Sequence, residues 1–228
     1  MITRRIFVGA AASAILSGCT TAGTGRRGLT PAAPKPPAMP EFYGPVPDDP
    51  FPIPAVPAGV VPERYWRTTV ENPYPQFAPG TVVVDPQNFY LHHIEHGGSA
   101  TRYGIGVGRQ GFSWAGNAVV QYKRKWPRWK APDDMVARQP ELAPYSVAAG
   151  GMDPGLMNPL SARALYLFQN GEDTLYRLHG NPEAASIGQA VSSGCIRLLN
   201  QDVIDLHDRV RDGSRVVVLN STLPAALS

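Results

Sequence analysis

From residue 81 to residue 219 the chain alternates short runs of β-branched and aromatic residues with turn residues. Residues 81–85 (TVVVD) and 88–92 (NFYLH) are split by Asp85-Pro86, which predicts strand, turn, strand. Residues 100–107 follow the His96-Gly97-Gly98 turn as another strand, and 118–123 (AVVQYK) supply one more. Residues 165–168 and 174–178 flank 169–173, where Asn170-Gly171 is a hairpin signal. Asn200 then caps a short predicted helix with Val203, Leu206 and Val210 on one face, ending at Gly213. Residues 215–219 (RVVVL) make a last buried strand. Many short strands, one or two short helices and no βαβ rhythm predict a mostly-β sandwich or barrel. No internal repeat is visible.

Composition divides the 228 residues unevenly. Twelve of the 24 prolines lie between Pro31 and Pro62, and only eight follow Pro86. Proline fixes φ and removes a donor, so residues 20–62 read as an extended, solvated tether. Residues 63–220 read as one globular domain and 221–228 as a tail. Apolar residues at 43% and charged residues at 17% exclude wholesale disorder. The formal charge is +3, and +1 without Arg4 and Arg5, which gives no nucleic-acid footprint. The apolar run from Ile6 to Leu16 is too short to span a bilayer. With its basic start and small-residue exit, it reads as an export signal over residues 1–19. Leu16-Ser17-Gly18-Cys19 resembles a lipobox, which implies a lipid anchor on Cys19, and residues 3–7 (TRRIF) resemble a twin-arginine signal.

If Cys19 is lipidated, Cys195 stands as the other cysteine of an exported protein, either a buried inert thiol or a nucleophile. Its neighbours favour the nucleophile. Leu178-His179-Gly180 closes a strand, and Ser192-Ser193-Gly194-Cys195-Ile196-Arg197-Leu198 follows. A thiol needs a base to become a good nucleophile, and His is the side chain whose ordinary pKa lies near working pH. Gly194 permits a tight turn whose N–H groups can receive an oxyanion. Arg197 alternates onto the strand face of Cys195, where a guanidinium can bind a carboxylate with two prongs. Such a cation also favours the thiolate, predicting a lowered thiol pKa.

This pattern resembles the catalytic motif of the L,D-transpeptidases, the YkuD-type enzymes of bacterial cell walls. Their signature is His-Gly, then about fourteen to seventeen residues, then Ser-x-Gly-Cys-(Ile/Val)-Arg. Residues 80–85, the Trp126–Trp129 region, Asn158-Pro-Leu160 and the helix after Asn200 also look like family segments. Ser193 stands where many members carry His, and Ser161 where Gly is common. The resemblance implies that Cys195 is the acylated nucleophile and His179 its base and acid. It also implies that the Gly180 carbonyl orients the imidazole, that Gly194 and Cys195 N–H groups form part of the oxyanion hole, and that Ser192 and Arg197 shape the substrate site. The implied substrate is a peptidoglycan tetrapeptide stem, cleaved at its L-centre–D-centre bond and passed to an amine, with no metal or organic cofactor. The export signal and lipobox imply the periplasmic face of the envelope, and Thr20 in place of Asp after the cysteine points to an outer-membrane lipid anchor. The competing readings are an L,D-carboxypeptidase and an inactive wall-binding lipoprotein.

Other residues divide between chemistry and packing. His92-His93-Ile-Glu-His96 looks like a metal cluster, but adjacent strand residues face opposite ways, so a solvated strand end is expected. Trp126 and Trp129 are candidates for lining a groove, while Trp114 is equally compatible with core. His207 is expected at the surface of its helix. The structural alternative for Arg197 is an ion pair with Asp202 or Asp205.

Overall fold

The computed structural model describes residues 37–108, 114–192 and 195–220. Its strands are β1 (Thr68–Glu71), β2 (Val82–Asp85), β3 (Tyr90–Ile94), β4 (Ser99–Gly104), β5 (Val107–Gly108), β6 (Gly116–Lys125), β7 (Arg163–Gln169), β8 (Glu172–Asn181), β9 (Ala190–Ser192), β10 (Ile196–Leu199) and β11 (Arg215–Val218). Two α-helices accompany them, α1 (Asp133–Arg138) and α2 (Asn200–Arg209). Nine strands form one mixed sheet in the order β1-β4-β3-β2-β11-β6-β7-β8-β10, and β5 pairs with β9 apart from it. The fold is mostly β, as the run of short β-branched segments predicts.

Local chemistry explains the pairing. Asn170 and Gly171 carry φ of 54° and 83°, the two positive values of the tight turn that suits a twisted hairpin, and they join β7 to β8. Gly97 and Gly98 turn β3 into β4 in the same left-handed region. β2 is apolar on both faces. Val82 and Val84 enter the main core with Leu91, Tyr103, Leu165, Leu178 and Val216, while Val83 packs with Ile94 and Ala100 on the other side. Helix α2 closes the main core with Val203, Leu206 and Val210, the apolar face read from its spacing. It packs on β7, β8 and β10.

Several local expectations are corrected. Residues 37–62 are not a solvated tether: Tyr43, Ile53 and Val61 are buried, and Val46 bridges Ile53. Gln201 donates to the carbonyls of Gly44 and Pro54, tying this segment to α2. Asn200 does not cap α2. Leu199 holds the cap position, and the Asn200 side chain accepts from the Ala162 N–H at 3.3 Å. His92 and His93 are buried, not solvated, and only His96 is exposed. Burial pushes the His92 imidazole down to about 4, helped by the Arg102 charge. His207 is likewise buried, its Nδ1 3.2 Å from Asp208 Oδ1. No helix among the described residues is long and apolar enough to cross a membrane. Residues 1–36, including Cys19 and the export signal, and the tail 221–228 lie outside the described residues.

Candidate active site

The sheet itself assembles the site. β10 runs parallel to β8 with Arg197 opposite His179 and Leu198 opposite Gly180. On β8's other side, β7 pairs Ala164 with His179. Cys195 precedes β10 by one residue, so counting back by two from Arg197 places it on the face that His179 occupies. Side chains of Cys195, His179, Arg197, Arg177, Tyr166 and Trp129 line one groove of about 850 Å³. Helix α1 and Pro159-Leu160 supply its further walls.

His179 is buried, and its Nδ1 lies 2.7 Å from the Gly180 carbonyl oxygen. A carbonyl only accepts, so Nδ1 carries the proton and Nε2 keeps its lone pair. That tautomer leaves a base available for a thiol. Gly180 has no room for a side chain, because a Cβ there would lie 2.3 Å from Asn200 Oδ1. Thus the residue that orients the imidazole is clamped by the start of α2. Asn158 builds the adjoining wall. Its amide donates to the carbonyls of Met152 and Asp153, and its oxygen accepts from the Leu160 N–H.

Burial pushes the His179 imidazole down to about 4, opposed by the Gly180 hydrogen bond and assisted by the charges of Arg197 and Arg177. Burial also pushes the Cys195 thiol up, although the Arg177 N–H and the guanidinium groups of Arg177 and Arg197 pull the other way. The lowered thiol expected from a neighbouring cation is therefore corrected: desolvation outweighs the two charges. These shifts favour the uncharged thiol and the uncharged imidazole in the groove at neutral pH.

Other candidates fall in different places. Trp129 lines the groove, and Trp126 does not. The Trp126 ring packs with Phe51, Ile53 and Ala162, and its N–H donates to Asp49 Oδ1. The indole is spent on a buried acceptor outside the groove. Trp114 stacks on Tyr176 at 5.1 Å. Arg197 does not pair with Asp202 or Asp205, which face Tyr43, Arg67, Tyr103 and Arg209. Its ion pair is a 3.4 Å contact with exposed Glu183. Ser192 ends β9, and Gly194 lies outside the described residues. No cluster of three or more His, Cys, Asp or Glu suited to a metal occurs among the described residues. Sequence reasoning missed Arg177, although it precedes His179 by two and so shares its strand face.

Residues 79–218 match the YkuD model, the L,D-transpeptidase catalytic domain. The chain belongs to this family. It is 32% identical over 149 residues to the probable L,D-transpeptidase YcfS of Escherichia coli, covering 62% of this chain and 44% of that protein. It is 35% identical over 121 residues to the probable L,D-transpeptidase ErfK/SrfK of Escherichia coli, covering 51% and 36%. The chain thus spans less than half the length of these curated relatives. A crystal structure described as a probable carnitine operon oxidoreductase caia from Brucella melitensis is 42% identical. It covers 70% of this chain and 96% of its own, with a TM-score of 0.47. The YkuD domain of this chain accordingly includes both His179 and Cys195.

Proposed function

We propose that this YkuD-family protein is a cysteine-dependent L,D-transpeptidase of peptidoglycan. Cys195 Sγ attacks the carbonyl of the L-centre–D-centre bond in a tetrapeptide stem, and its proton passes to His179 Nε2. The tetrahedral intermediate collapses to a thioester as His179 returns that proton to the departing D-alanine amine. An acceptor amine, deprotonated by His179, then attacks the thioester, releasing the Cys195 thiol and forming the new amide. Arg197 binds a stem carboxylate, with N–H groups at Gly194 and Cys195 facing the oxyanion. The protein works on the periplasmic side of the envelope, held to a membrane by lipid on Cys19.

One observation carries the reading: a single groove presents a thiol, an imidazole with Nε2 unprotonated and a guanidinium whose ion pair is with an exposed carboxylate. A neutral thiol–imidazole pair fits proton transfer concerted with attack, which avoids charging either group beforehand. The test is Cys195→Ala in a cross-linking assay on purified stem peptides, read by mass spectrometry. Cross-linked product should vanish while the melting temperature stays near that of the parent; full activity would end the proposal. For location, Cys19→Ser should release the protein from membranes, and unchanged association would refute the anchor.

A further inference from the structure

Leu175 is an apolar residue, 60% exposed, with φ of 62° in the middle of a strand. L-residues avoid that conformation unless the surroundings enforce it. Here the β7–β8 register breaks. Tyr166 faces Arg177 and Phe168 faces Asp173, so Thr174, Leu175 and Tyr176 bulge opposite Leu167 alone. Asp173 braces this bulge. Its Oδ1 accepts from the Leu175 N–H at 2.8 Å and from Arg177 Nη1 at 2.7 Å, while Oδ2 accepts from Arg177 Nη2 at 2.7 Å. Arg177 is further held over the Tyr166 ring at 4.3 Å. The bulge ends at the proposed nucleophile, since the Leu175 carbonyl oxygen is 3.9 Å from Cys195 Sγ and the Arg177 main-chain N–H hydrogen-bonds that sulfur.

We propose that Asp173 is a positioning residue for the nucleophile: by bracing the bulge at Leu175 it sets the Leu175 carbonyl and the Arg177 N–H against the Cys195 sulfur. The thiol donates to the carbonyl, and the thiolate accepts from the N–H. This rests on the reading of Cys195 as the nucleophile. The charged groups that act on the sulfur are Asp173 and Arg177 from β8 and Arg197 from β10. His179, Tyr166, Tyr176, Arg128, Lys130, Asp134 and Arg138 also line the groove. The Arg177 N–H weighs more on the thiol than the Asp173 charge does, and the two act in opposite directions.

That opposition supplies the test. The full-length protein is treated with iodoacetamide across pH, and alkylation of Cys195 is followed by peptide mass spectrometry. Asp173→Asn keeps an acceptor for the Leu175 N–H and removes the negative charge, so the midpoint should move to lower pH. Asp173→Ala loses the brace as well, so the midpoint should rise by about one unit, a tenfold loss of thiolate at neutral pH. Adding Leu175→Gly to Asp173→Ala should restore the lower midpoint, because glycine adopts positive φ unaided. This rescue separates bracing from loss of fold. Variants that move together, or a double variant without recovery, would overturn the proposal while leaving Cys195 as nucleophile. A parent Cys195 inert at every pH would overturn the nucleophile itself, and this proposal with it.

Discussion

Asp49 offers a sharp test of whether residues 37–62 belong to the folded domain. Its carboxylate receives Arg163 Nη2 at 2.6 Å and Nη1 at 3.2 Å, together with the Trp126 N–H, and both ion-pair side chains are under one-tenth exposed. Burial works against the Asp49 charge, yet these hydrogen bonds and the Arg163 charge hold its pKa below the ordinary value. Asp49→Ala would leave a buried guanidinium with, among the described residues, the Ala162 carbonyl at 2.8 Å as its remaining hydrogen-bond partner, and an indole N–H without its acceptor. Removing one partner of such a pair costs about 3–5 kcal/mol. For a domain of this size each kcal/mol lowers the melting temperature by roughly 2–4 °C, so a drop of roughly 6–20 °C is expected. Calorimetry, with urea unfolding to verify an unchanged m-value, measures it. Adding Arg163→Met should recover much of the loss, because no charge is then stranded. A loss below about 1 kcal/mol for the single variant would mean that the segment lifts away and lets Arg163 reach water. Residues 37–62 would then not be an integral part of the folded domain.

Three further outcomes follow from the site and its surroundings. Because burial holds His179 near 4, the acid limb of Cys195 acylation should fall close to that pH; a limb near the ordinary 6.5 would contradict a buried neutral imidazole. Asp202 is fully buried and pushed up to about 7 by desolvation, against the pull of Arg67 and Tyr43. A folded pKa above the unfolded one stabilises fully below about 3.8 and loses that stabilisation as pH rises through about 7. Asp202→Asn should therefore gain on the parent between pH 4 and 8, by up to about 4 kcal/mol in denaturant unfolding; a pH-independent difference would refute this. Arg197→Lys should raise KM about tenfold, about 1.4 kcal/mol, with under about 1 kcal/mol of stability lost, since its partner Glu183 is exposed. A lowered melting temperature with ordinary kinetics would make Arg197 structural.

The legible parts of the molecule are those governed by short-range rules. β2 and β11 follow valine runs, β7 and β8 follow apolar and aromatic runs on either side of an Asn-Gly turn, and the face of α2 follows its spacing. His179 and Arg197 were readable as a pair of motif segments, and parallel pairing of β8 with β10 puts them opposite one another. What escaped depends on partners distant in sequence. Proline content says how residues 37–62 bend, but not that Tyr43 reaches Asp202 or that Asp49 reaches Arg163. Asn200 is a good capping residue by type, yet Ala162 competes for its oxygen. Trp126 sits near the groove in sequence, and a carboxylate 77 positions away decides where its indole goes. The rise of the Cys195 thiol comes from desolvation in the groove, which residue type does not reveal.

The place of β11 has a consequence in time. It lies between β2 and β6, parallel to one and antiparallel to the other, and Val216 meets Val82 across about 130 residues of chain. The loop that must close before this contact forms is nearly the whole domain, so its entropy is paid early and its reward comes last. Until residues 215–218 arrive, β2 and β6 are open edges rich in valine, inviting other chains to pair. A nascent chain still lacking its last strand is thus the aggregation-prone species, and whatever holds it unfolded until synthesis ends guards the fold.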